Sequence, residues 1–126
     1  MPILENCRIK FYTNEAGKGA ETEVFVGVRD DNDVIAAFVS DDFGDFEQHS
    51  DNGPFDLAIR NASEKVNLRG GSLHIGFDPK EEDIWRFNFF LFLSFTDGTR
   101  LNGGRVGVEL NRDQREQTFR LNEIAR

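Results

Sequence analysis

The sequence predicts an all-β fold, an antiparallel β-sandwich of two sheets with about eight strands. Period-two alternation of apolar and polar residues recurs from end to end, whereas helical periodicity hardly occurs. Between the alternating runs stand clusters of Gly, Asn, Asp and Pro, which supply the positive φ values and fixed bends that hairpins need. The apolar residues are mostly aromatic: there are 13 Phe against one Tyr and one Trp. Phe adds buried area with no polar group to satisfy, so the core is expected to be dry.

The strands follow in order. "RIKFYT" points Ile9 and Phe11 inward, and "TEVFVGV" does the same with Val24, Val26 and Val28. "VIAAFV" covers residues 34–39, and "FDLAI" is read as one strand with Phe55, Leu57 and Ile59 inward. "SLHIGF" buries Leu73, Ile75 and Phe77, and "WRFNFFLFLSF" is a long aromatic strand. "GRVGVEL" points Val106, Val108 and Leu110 inward, and "QTFRL" closes the series with Phe119 and Leu121. "NEAGKG", "RDDND", "DDFGDF", "HSDNGP", "RGG", "DPKEED", "TDGT" and "NGG" are the expected turns. A helical turn is expected near Ala62 to Leu68 or Asn111 to Gln117.

A chain of 126 residues without linker, low-complexity tract or repeat reads as a single domain, residues 1–126. The lone Cys7 can form no internal bridge and is expected to be a small residue near the core. No segment approaches the length of a membrane span. The start "MPILENCRIKFY" lacks a basic patch followed by an apolar run, so no export signal is read and a cytoplasmic location is the default expectation. The net charge of −8 repels phosphate backbones, which argues against nucleic acid as a partner.

Catalytic patterns are not found. His49 lies in the polar loop "QHSDNGP", and alternation turns His74 away from Leu73 and Ile75 toward solvent. Adjacent His49, Ser50 and Asp51 have the residue types of a hydrolytic triad but cannot converge from one loop. A nonenzymatic role is expected. Acidic residues, however, gather in loops: Glu21 and Glu23; Asp30, Asp31 and Asp33; Asp41, Asp42 and Asp45; Asp51 and Asp56; Asp78, Glu81, Glu82 and Asp83. Like charges held close repel by about 1 kcal/mol per pair, and an oxygen-seeking cation such as calcium relieves this. Solvated acidic turns are the plain alternative, and "DDNDV" does not fit the helix-loop-helix calcium pattern.

"GAETEVFVGV", Gly19 to Val28, resembles the Gly-x-Asp-x-x-Val-x-Val entry of the PLAT or lipoxygenase-homology domain. "LHIGFDPKEEDIWRF", Leu73 to Phe87, resembles that family's later stretch, where an Ile-Gly-x-Asp turn leads after a short loop to a tryptophan opening a strand. The resemblance implies two four-stranded sheets that bind membranes, lipid or protein, often with calcium at loops on one end. Glu21 and Asp78 stand where the family has its acidic residues, although Glu21 is longer than the usual Asp, and no exposed membrane-touching aromatic can be matched. The calcium- and phospholipid-binding sandwich of synaptotagmin type is a second resemblance, in its Asp-rich loops but not in their spacing. The expected calcium ligands are thus Glu21, Asp78 and Asp83, with Asp30, Asp31 and Asp33 as an independent second set.

One strand raises a question. If Trp85, Phe87, Phe89, Leu91, Leu93 and Phe95 face the core, Phe90 and Phe92 face the other way. Three covers are possible: the chain's own stretch around Phe43 and Phe46, a second copy in a homodimer, or a ligand or membrane surface. Trp85 either plugs the end of the core or stacks on a ligand such as a sugar, with Arg86 and Asn88 beside it. The expected function is a noncatalytic binding module for lipid, carbohydrate or protein, with calcium at its acidic loops. The alternative is a self-associating structural protein that dimerises through Phe90 and Phe92.

Overall fold

The structure, a computed structural model, describes residues 2–14, 23–41, 49–78, 84–111 and 113–124. Among these lie nine strands: β1 (Leu4–Thr13), β2 (Glu23–Arg29), β3 (Ile35–Asp41), β4 (Asp51–Asp56), β5 (Ala58–Ile59), β6 (Ser72–Asp78), β7 (Trp85–Phe95), β8 (Arg100–Leu110) and β9 (Glu116–Arg120). Two short helices, α1 (Lys65–Arg69) and α2 (Leu121–Ile124), complete them. One sheet runs β4-β1-β7-β8 and the other β5-β3-β2-β6-β9, antiparallel throughout. The predicted all-β sandwich is therefore observed. Its ninth strand is the two-residue β5. Among the described residues no helix is long and apolar enough to cross a membrane.

Alternation builds the core. Ile9 pairs with Leu91 and Phe11 with Phe89 in one sheet, Val26 with Ile75 and Val28 with Leu73 in the other, and all are buried. The sheets meet where the Phe89 and Phe119 rings lie 5.1 Å apart. At the opening of β7, Trp85 stacks on Phe87 at 3.8 Å and tilts against Phe11 at 5.1 Å. Its indole N–H donates to the buried Thr13 hydroxyl at 3.1 Å, so the one polar atom of the ring has a partner inside the core. Leu68 from α1 and Leu121 and Ile124 from α2 add to the same core.

Several expectations need correction. Val106 was expected inward but is 69% exposed. Phe87 pairs with Val108 and Phe89 with Arg105, so Val106 and Gly107 together oppose the single residue Asn88. This bulge, with Gly107 at φ 70°, reverses the parity of the strand before it and turns Leu101 inward instead. "NGG" is not a turn. Asn102, Gly103 and Gly104 lie inside β8, where a β-carbon on Gly104 would collide with the Phe89 carbonyl oxygen. The turn is "TDGT", where the Thr99 hydroxyl and then its backbone N–H hold the Asp97 carboxyl below its usual range.

"DNGP" is also strand, at the edge, where proline costs no ladder bond. "FDLAI" is divided between sheets: Phe55 belongs to β4, Ala58 and Ile59 to β5, and buried Leu57 crosses between them with its N–H on the Cys7 carbonyl at 2.8 Å. Ile59, expected inward, is exposed, and Val34 lies in the turn before β3. The helical turn near Ala62 to Leu68 is α1, whereas at Asn111 the side-chain carbonyl takes the N–H groups of Asp113 and Gln114 and bends the chain without a helix.

Replacing Thr13 with Val keeps the shape but removes the acceptor under Trp85. We expect a loss of about 1–3 kcal/mol in urea unfolding, with a smaller loss for Thr13→Ser, which retains the hydroxyl.

Candidate binding face

Strand β7 lies between β1 and β8, so its outward side chains Arg86, Asn88, Phe90, Phe92 and Ser94 stand in the middle of a sheet surface. Register places Lys10 and Gly104 on either side of Phe90, Arg8 and Asn102 on either side of Phe92, and Asn6 and Arg100 on either side of Ser94. Phe90 and Phe92 are 39% and 37% exposed. They are not equivalent. A β-carbon on Gly104 would lie 3.3 Å from the Phe90 ring, so Phe90 leans on a glycine and shields the backbone there. The same pairing recurs on the other sheet, where Phe25 lies over Gly76 and Phe38 over Gly27. Phe92 faces Asn102 and has no such partner.

Phe92 and Pro54 form the apolar surface of a depression of about 320 Å³, with Arg8, Arg100, Asn6, Asn102 and Ser94 around them. Arg8 is paired through Nε with Asp56 at 2.8 Å, a solvent-exposed pair worth about 0–1 kcal/mol. Asn6, Ser94, Arg100 and Asn102 make no side-chain hydrogen bond or ion pair among the described residues. Elsewhere on this sheet several polar groups are engaged. Lys10 holds Asp51 at 2.8 Å, and the Asn88 carbonyl accepts from Asn14 Nδ2 at 3.0 Å and from the Gly107 N–H at 2.9 Å. Arg86 Nε donates to Glu109 Oε1 at 2.7 Å and Asn111 Nδ2 donates to Glu109 Oε2 at 3.0 Å, and these bonds, Arg86 first, hold the Glu109 carboxyl below its usual range.

Of the ligand residues expected from sequence, Arg86 and Asn88 share this face, while Trp85 is fully buried behind it. The trio could never meet, since residue 85 and residues 86 and 88 point to opposite sides of one strand. Of the two roles open to Trp85, the structure assigns the core plug. Arg86 lines a second depression of about 410 Å³ with Asn14, His49, Gly107 and Glu109, in which the Arg86–Glu109 pair already occupies both charges.

Among the described residues the expected metal ligands are engaged within the protein or stand apart from one another. Asp30 Oδ1 accepts the N–H groups of Asn32 and Val34 at 2.9 and 3.0 Å, Asp33 sits at φ 62° with Arg29 at 3.2 Å, and the Asp31 N–H donates to the Asn67 carbonyl. The Asp30 and Asp33 carboxyls thus shape the β2–β3 turn, and Asp31 joins it through its backbone. Asp78 pairs in register with Glu23, and Arg115 approaches it at 3.9 Å while the Ser40 hydroxyl donates to Glu23 at 2.7 Å. Glu21 and Asp83 lie outside the described residues, as do Phe43 and Phe46. Among the described residues no three His, Cys, Asp or Glu side chains are placed to hold a metal ion.

No family model, curated protein or solved structure matches the chain. The likeness to the PLAT domain therefore rests on its two short stretches, and the site is read from its own chemistry. Residues 23–28 of the first stretch form β2; in the second, residues 73–78 belong to β6 and 85–87 to β7. Sequence reasoning missed Asn6, Arg8, Pro54, Arg100 and Asn102. The signal lay in "TDGT": a hairpin closed there sets Arg100 opposite Ser94 and Asn102 opposite Phe92.

Cys7 is a core residue, and burial pushes its thiol from the usual 9.0 up to about 12. Above pH 9.0 the unfolded chain sheds a proton that the folded chain keeps until about pH 12, so the unfolded state binds fewer protons and stability falls as pH rises. We expect a fall of about 1.4 kcal/mol per pH unit across that window, read from urea midpoints, and absent in Cys7→Ala.

Proposed function

We propose that the chain is a noncatalytic binding module whose ligand lies on the solvent side of the β4-β1-β7-β8 sheet, over Phe92. One observation carries this: a partly exposed phenylalanine at the centre of a sheet, beside polar side chains that have no partner among the described residues. Covering the exposed part of such a ring is worth about 1 kcal/mol. Amides and a hydroxyl supply direction, so the patch suits recognition by stacking and hydrogen bonding. The groups around Phe92 are amides, a hydroxyl and guanidiniums, which hold a ligand by hydrogen bonds, and that supports binding over catalysis.

Self-association through Phe90 and Phe92 uses the same exposed rings. A two-fold contact sets a patch against its own copy, so each Arg100, unpaired among the described residues, would need an acceptor on a face whose adjacent carboxyl, Asp56, is already held by Arg8. Binding of a different molecule therefore fits the charges better. A calcium site at Glu21, Asp78 and Asp83 would add to this reading, and a rise of several degrees in melting temperature on replacing chelator with millimolar calcium would establish it.

In a screen of glycans, lipid vesicles and peptides, we expect Phe92→Ser to weaken the bound class about tenfold or more while the melting temperature stays near that of the wild type. Light scattering at tens of micromolar should give a monomer for both. A wild-type dimer that Phe92→Asp dissociates would replace this reading with self-association.

A further inference from the structure

The reading of Phe92 as a contact surface leaves the ligand open, and the side chains around it narrow the choice. Arg100 bears a full positive charge, lines the depression and has no ion-pair partner among the described residues. A guanidinium presents a planar fork of donors that matches a carboxylate, and it prefers that match to a neutral hydroxyl. The chain as a whole carries a charge of −8, so a polyanion is repelled by most of the surface while a single negative group is attracted at this one point. Asn6, Asn102 and Ser94 offer amide and hydroxyl groups, each able to donate and accept, and all are unengaged among the described residues. Such groups pair with hydroxyls. Phe92 adds a ring face against which the C–H side of a saturated ring can lie.

Size and polarity exclude other occupants. A depression of about 320 Å³ falls at the small end of ligand sites, enough for roughly one or two sugar rings. A stable protein partner would need roughly 20–30 residues on this side. An acyl chain would find only Phe92 and Pro54 to lie on.

We propose that the ligand over Phe92 is a carboxylated sugar, with its carboxylate on Arg100, its hydroxyls on Asn6, Asn102 and Ser94, and its ring face on Phe92. The proposal rests on the binding-module reading of this sheet.

The test uses the full chain and saturation-transfer and chemical-shift titrations at millimolar glucuronate, galacturonate and N-acetylneuraminate. Glucose, galactose and N-acetylmannosamine serve as neutral counterparts, and glucose 6-phosphate supplies a different anion. Wild type, Arg100→Gln and Phe92→Ser are compared after circular dichroism and melting confirm that each is folded. We expect at least one acidic sugar to bind about tenfold more tightly than its neutral counterpart, to weaken as salt is raised, and to lose that preference in Arg100→Gln. Phe92→Ser should weaken acid and neutral forms alike. Equal binding of acid and neutral sugar by wild type overturns the carboxylate assignment while leaving the sheet face as a sugar site. Tighter binding of the sugar phosphate overturns it in favour of phosphate. If no sugar binds, the ligand class is wrong; should Phe92→Ser also leave every ligand of the broader screen unaffected, the binding face itself is wrong.

Discussion

Strand β7 is hydrogen-bonded to β1 on one side and to β8 on the other, and that double pairing leaves its side chains only two directions. Trp85, Phe87, Phe89, Leu91, Leu93 and Phe95 take one and are buried without exception. Whatever remains must face the solvent side of a sheet interior, where no neighbouring strand can cover it. The identity of residues 86, 88, 90, 92 and 94 is therefore free from core packing, and their chemistry reports on the surface.

Among the described residues, outward phenylalanines fall into two groups. Phe25, Phe38 and Phe90 each lie over a glycine of the neighbouring strand, Gly76, Gly27 and Gly104. A glycine in a strand exposes its backbone and gives its neighbours nothing to pack on, and a ring laid across it repairs both defects. Phe92 stands opposite an asparagine and repairs nothing. The distinction decides which of two adjacent aromatics, identical in sequence terms, is available for a ligand.

Parity within one strand was readable from the residues, because period two is a local property: the inward sets of β1, β2, β6 and β7 are those that alternation marked. Wherever the pattern depended on a partner strand, it failed. The bulge that exposes Val106 arises because Val106 and Gly107 share one position opposite Asn88, and its one signal in "GRVGVEL" is Gly107, a glycine inside a strand pattern. "NGG" has the composition of a hairpin turn, yet the glycine at 104 serves close approach to the Phe89 carbonyl. The depression over Phe92 draws on four strands, β1, β4, β7 and β8, so its residues span positions 6 to 102, and only the β7–β8 part, set by the "TDGT" hairpin, has a local signature. The "RDDND" turn has the look of a ligand set because a carboxyl that caps its own backbone, as Asp30 does, has the same sequence signature as one that awaits a cation.

If recognition lies on paired strands instead of loops, as proposed, it has an energetic consequence. Arg8, Phe92 and Asn102 sit in one cross-strand row and Asn6, Ser94 and Arg100 in the next, with their backbones fixed by the ladder. A ligand that meets them has only side-chain rotamers to order, at about 0.5–1.5 kcal/mol for each long chain, and no loop to fold. Most of that cost falls on Arg100, the longest of the unengaged groups and the one with a full charge. The asparagines, with fewer rotatable bonds, lose less. Selectivity is then concentrated where the ordering cost is: a ligand that fails to satisfy the guanidinium gains little from fixing it, whereas the amides and the ring accept many shapes. A rigid patch with one charged, mobile contact will accordingly be permissive toward ring geometry and strict about charge.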